Sequence, residues 1–133
     1  MHWTMIGSSN STSLALRVQD ANSWGADYFI SLHTNASTNA SATGSEAFAY
    51  SREGEGFTLG EYILIWLNRA TGLRNRGMFT RPGLYVLRKT SMPAVLVELG
   101  FITNPGDAAL MNSSPELFAE GIYNGIVDYL GLL

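Results

Sequence analysis

Tyr28-Phe-Ile-Ser-Leu-His33 runs apolar almost without a break and ends on a histidine. A short run with so little polar alternation predicts a strand buried on both faces. Farther on, Ala94-Val-Leu-Val-Glu98 repeats the pattern and ends on a carboxylate. Between the two, apolar residues at Leu59, Tyr62, Ile63, Trp66, Leu67 and Ala70 keep i, i+3, i+4 spacing. That spacing predicts a helix with one buried face from about Glu55 to Ala70. Strands alternating with such helices predict an α/β layered domain, with a mostly parallel twisted sheet flanked by helices.

The remaining elements follow by the same reading. Ser13 suits the cap of a helix with Leu14, Val18 and Ala21 on its inner face, ending at Gly25. Strands are expected at Glu46–Tyr50 and at Leu84–Leu87. The biased stretch Thr34 to Thr43 is expected to be a surface loop. Asn104-Pro105 and Ser114-Pro115 each place a capping side chain before a proline at the first helical position. The second of these opens a terminal helix burying Leu117, Phe118, Ile122, Ile126, Val127 and Leu130. Trp24, Trp66 and Phe101 read as core, and Gly83 and Gly100 as turn residues. Met1 to Gly7 reads as the end of a short strand.

Composition narrows the function classes. The 133 residues are expected to form one domain over 1–133 around one core. A net charge of −3 gives no electrostatic reason to expect nucleic acid or an anionic membrane surface as partner. No segment reaches the roughly 18 apolar residues of a membrane span. There is no cysteine, so thiol catalysis, disulfides and cysteine-based zinc sites are excluded. Any metal must be held by His, Asp or Glu, and only His2 and His33 are histidines.

In α/β sheets, binding groups collect at the carboxyl ends of strands. His33 and Glu98 each close an apolar run, so the fold can set them side by side at one rim. A lone strand-end histidine is more often structural than a ligand. Glu98, led in by four apolar residues, is expected in a partly dry setting that raises its pKa, although a salt bridge to a neighbouring arginine is an equally ordinary reading. Glu46 reads as a solvated or edge-strand carboxylate. Asn35 reads as fixing its loop, and Arg88 as a partner for Glu98 or for a peptide carboxylate. No Gly-x-Ser-x-Gly elbow is present to support a serine hydrolase.

Several motifs in series are more specific. Ser31-Leu-His-Thr-Asn-Ala36 is similar to the Ser-Ile-His-x-Asn-Ala motif of the zinc-dependent N-acetylmuramoyl-L-alanine amidases. It follows Arg17-x4-Asn22-x2-Gly25-Ala-Asp27, which resembles that family's lead-in. Arg76-Gly77, then Leu84-Tyr-Val-Leu-Arg88, and finally Met92-Pro-Ala-Val-Leu-Val-Glu-Leu-Gly-Phe-Ile-Thr-Asn-Pro105 resemble its later signatures. The likeness runs in order from about Ser13 to Met111.

The resemblance implies a peptidoglycan hydrolase that cuts the amide between N-acetylmuramic acid and L-alanine, acting at the cell wall outside the cell or in the periplasm. It puts His33 in the place of a zinc ligand and Glu98 in the place of the catalytic carboxylate. The family's other ligands, a His and a Glu, come from an Asp-x-Gly-His-Gly-Gly segment and the residues after it. Neither is found in this chain, and His2 does not lie in such a motif. The expectation is therefore an amidase domain that is N-terminally incomplete relative to the family and holds zinc weakly or not at all. A bared sheet edge would favour a homodimer. A truncated relative that binds cell wall without cutting it is the alternative.

Overall fold

The computed structural model describes residues 11–133, with side chains from Leu14 onward. The strand expected at Met1 to Gly7 lies outside them, and Ser13, expected to cap the first helix, stands inside it, because the helix begins at Ser11. The elements are α1 (Ser11–Trp24), β1 (Phe29–Asn35), β2 (Ser45–Ala49), α2 (Glu55–Thr71), β3 (Asn75–Thr80), α3 (Tyr85–Arg88), β4 (Ala94–Phe101), α4 (Pro105–Ser113) and α5 (Pro115–Tyr129).

The four strands stand in the order β1-β4-β2-β3. β1 pairs parallel with β4 and β2 parallel with β3, whereas β2 and β4 are antiparallel. The connections explain this mixture. A parallel neighbour needs a crossover of a dozen or more residues, and α2 supplies it between β2 and β3. The link from β1 to β2 contains no helix, so the chain simply turns back.

β4 holds the fold together. Its Val95 and Val97 pack against Leu59, Ile63, Leu64 and Leu67 of α2 and Phe118 of α5. Its Ala94 and Leu96 face the other way, onto Val18 of α1 and Val86 and Leu87 of α3, beside Phe48 of β2. Burial on both faces is why this strand reads as an unbroken apolar run.

The expectation fails for the first strand. Leu32 is 51% exposed, because β1 lies at the edge of the described sheet with β4 as its one partner. Leu84–Leu87 is also not a strand. Leu87 and Arg88 donate their N–H groups to the carbonyl of Leu84, opening the short helix α3. A four-residue apolar run has no period long enough to separate the two structures. The third strand lies just upstream, where Arg76 and Gly77 (φ 97°) hide it among polar residues.

Smaller corrections have local causes. Trp24 is 46% exposed at the end of α1 and is not core. Gly100 lies inside β4, where a Cβ would already touch Asp107 and Met111 of α4, so close packing accounts for it and no turn is involved. Asn104 caps α4 by accepting from the N–H of Asp107, as expected. Ser114 stands at the N-cap of α5, but its side chain makes no capping bond. Of the residues expected to be buried along α5, Phe118 is fully so, whereas Leu130 lies past its end and is exposed.

α5 crosses α2 at very close range. A Cβ on Gly125 would sit 2.6 Å from Ile63 Cα, and one on Gly121 2.9 Å from Leu67 Cα. Backbone is in the way, so no rotamer change relieves the clash. Gly125→Ala should therefore destabilise by about 1–3 kcal/mol, the usual cost of forcing extra volume into a packed contact. Urea titration reads this directly, and an unchanged midpoint would show that the helices separate freely.

Candidate active site

The sheet register builds the site. His33 of β1 lies opposite Glu98 of β4, and Glu98 lies opposite Glu46 of β2. Cross-strand partners project from the same face. Along β4 that face carries Ala94, then Leu96, then Glu98, so the apolar floor under α1 and α3 gives way to a polar row. His33 and Glu98 thus lie side by side at the carboxyl ends of two parallel strands, as expected.

Glu98 is poised rather than satisfied. Its Oε2 is buried and has no hydrogen-bond partner among the described residues. Burial holds its pKa above the ordinary carboxylate value, the charge of Glu46 raises it further, and Arg81 opposes both. No bond to Arg88 forms. That residue lines a cleft of about 340 Å³ with Pro93 and Ala94, at the opposite end of β4.

His33 sits half-buried with Nε2 3.0 Å from Ser31 Oγ. Burial lowers its pKa and the charge of Arg17 lowers it further, which favours the neutral ring that a metal requires. It lines a cleft of about 360 Å³ with Arg17, Leu32, Thr34 and Leu99.

Glu46 is not the solvated carboxylate its sequence position suggested. Its side chain is 12% exposed, with Arg76 Nε donating to Oε1 at 2.7 Å and Asn35 Nδ2 donating to Oε2 at 3.2 Å. Arg76 also donates to the carbonyl of Thr43 and covers the ring of Phe101 at 5.0 Å. Asn35 therefore fixes its own turn through Ala36 N–H and braces the site as well. β2 is an inner strand of the sheet, which is what encloses Glu46.

Asp107 escaped the sequence reading. It is 1% exposed and accepts from Thr43 Oγ1 at 2.5 Å and from the N–H groups of Gly44 and Phe101 at 3.0 and 2.9 Å. Ser45 Oγ adds a bond to the carbonyl of Leu99 at 2.7 Å. Together these bonds clamp the loop entering β2 to the end of β4, so Glu46 and Glu98 keep their register. The signal was Asn104-x-x-Asp107, a cap followed by a carboxylate three residues on.

No group of three His, Cys, Asp or Glu able to hold a metal occurs among the described residues. They do not by themselves fit a zinc ion, which takes three protein ligands in a catalytic site. His33 can give one.

A family model described as N-acetylmuramoyl-L-alanine amidase matches residues 1–128. The chain belongs to this zinc-dependent family. It is 40% identical over 128 residues to the N-acetylmuramoyl-L-alanine amidase CwlM of Bacillus licheniformis, covering 94% of the chain and 49% of that relative. The chain thus spans about half the length of that protein. Among solved structures, it is similar to the catalytic domain of the amidase CwlV from Paenibacillus polymyxa, with 30% identity and a TM-score of 0.78, covering 90% of the chain and 66% of CwlV. It is also similar to the CwlD amidase of Clostridioides difficile, solved with the GerS lipoprotein, with 28% identity and a TM-score of 0.83, covering 91% and 63%. The layered α/β fold is therefore that of amidase catalytic domains. No described helix is long and apolar enough to cross a membrane.

Proposed function

We propose that the chain works as an amidase catalytic domain at the cell wall, outside the membrane. It hydrolyses the peptidoglycan amide that joins the lactyl group of N-acetylmuramic acid to L-alanine. One observation carries the reading: in a member of this family, the unpartnered, half-buried carboxylate of Glu98 stands in register with His33. Glu98 accepts the proton of the attacking water and passes it to the nitrogen of the departing alanine. Its raised pKa brings that exchange closer to neutral pH. His33 would serve as one zinc ligand, with the donors that complete the set supplied from outside the described residues. Zinc, where bound, supplies a water of lowered pKa and a polarised carbonyl.

The test is to incubate the protein with zinc and purified peptidoglycan and to count new amino termini on L-alanine. Their appearance is expected, and their absence under saturating zinc would remove the reading. The alternative, a wall-binding relative that does not cut, is favoured by the lack of a three-ligand cluster among the described residues. It predicts co-sedimentation with peptidoglycan and no new termini.

Glu46 sets the working pH range. A base must be deprotonated, so activity falls as pH drops through the raised pKa of Glu98. Glu46→Gln removes a neighbouring negative charge, lets that pKa fall and should move the acid limb of kcat/KM to lower pH. A pH–rate profile with an unmoved or higher acid limb would show that the two carboxylates do not communicate.

A further inference from the structure

Four arginines fall between positions 74 and 88, and the reaction above gives none of them a contact with substrate. Arg76 is held by Glu46, and Arg88 lines the cleft at the far end of β4. Arg74 is exposed just before β3. Arg81 differs from all three. Its N–H donates to the carbonyl of Ala49 at 2.9 Å, which anchors the backbone where β3 ends. Its guanidinium lies 4.7 Å from the centre of the Phe48 ring. Phe48 pairs with Leu96, one row below the pair Glu46 and Glu98 on the same face. Arg81 is thus laid on the floor of the site, near enough for its charge to act on Glu98. Among the described residues it has no carboxylate partner, since the ion pair found there joins Arg76 to Glu46.

We infer that Arg81 binds substrate, taking a carboxylate of the stem peptide close to the scissile amide. This rests on the amidase reading. A guanidinium stacked on an aromatic ring is fixed in its plane while its N–H edge stays open, the geometry for a bidentate carboxylate contact. The site has a need for it. Arg76 offsets Glu46, but the carboxylate of Glu98 in the same row has a buried oxygen without a partner among the described residues, and the chain carries a net charge of −3, so a further cation at this row favours an acidic peptide. Lying over Phe48, that cation is carried from the end of β3 back toward the row, within reach of Glu98.

The test compares N-acetylmuramoyl-L-alanyl-D-glutamate with the same compound carrying both glutamate carboxylates as amides. The readout is the ratio of kcat/KM for acid over amide, which cancels any general loss of activity. Arg81→Ala should lower that ratio by about tenfold, the usual worth of a charge-assisted hydrogen bond at a half-open site. Arg81→Lys should lose less, and Arg81→Glu should reverse the preference. A ratio unchanged in Arg81→Ala and Arg81→Glu, with the parent active on both compounds, would overturn the assignment and leave the amidase reading intact. A parent that cleaves neither compound would overturn both.

Discussion

Glu98→Gln should lower amide cleavage by about 10²–10⁴-fold, the range supplied by a positioned general base. The amide side chain keeps the size and place of the carboxylate at the end of β4 but cannot take a proton from water. The same change should make the protein more stable at neutral pH. Burial and Glu46 raise the pKa of Glu98 in the folded state, so the fold holds this proton more tightly than the unfolded chain does. Stability from this group is fully present below the ordinary glutamate pKa and is lost as pH rises through the folded value. The variant escapes that loss, so its advantage should be clear at pH 7 and fade on acidification. The residue is only partly buried, and solvent keeps the gain to about 1 kcal/mol or less. Paired denaturation curves at pH 7 and pH 4 would measure it. A variant less stable than the parent at pH 7 would show that Glu98 has a partner after all.

Asp107→Ala should cost about 3 kcal/mol or more and, through loss of register, most of the activity as well. The carboxylate holds three donors, two of them backbone N–H groups in a place water does not reach. Truncation leaves Gly44 and Phe101 with unmade bonds, each costing about 1–3 kcal/mol. Asp107→Asn keeps one acceptor oxygen for those N–H groups and turns its NH2 toward Thr43, whose hydroxyl can accept. It should lose about half as much. Urea unfolding of the two variants decides the matter. If alanine melts with the parent, the loop entering β2 is held by Ser45 and Arg76 alone.

The parts of this fold legible in sequence are those with a long period or a single dominant environment. The i, i+3, i+4 face of α2 and the two-sided burial of β4 each left a plain pattern. β3 left none, because Gly77 breaks its apolar run and Arg76 points into a polar site. Leu84 to Leu87 misled because a single helical turn and a short strand bury the same few residues. His33 and Glu98 were readable as strand ends, and the structure brings them together. Glu46 and Asp107 were not, since what defines each is a partner far along the chain: Arg76 for one, Thr43, Gly44 and Phe101 for the other. A carboxylate in a sequence carries no mark of which backbone groups will point at it.

The central claim is that water, deprotonated by Glu98, cuts the lactyl–alanine amide. Cleavage of a muropeptide in isotopically heavy water, followed by mass spectrometry of both products, tests it most directly. The expected result is one heavy oxygen in the lactyl carboxylate and none in the released peptide, with labelling slowed by about a hundredfold or more when Glu98→Gln replaces the parent. Label at a sugar carbon or at a peptide carboxylate would place the cut at another bond, and labelled lactyl carboxylate at parental rate from Glu98→Gln would take the base away from Glu98.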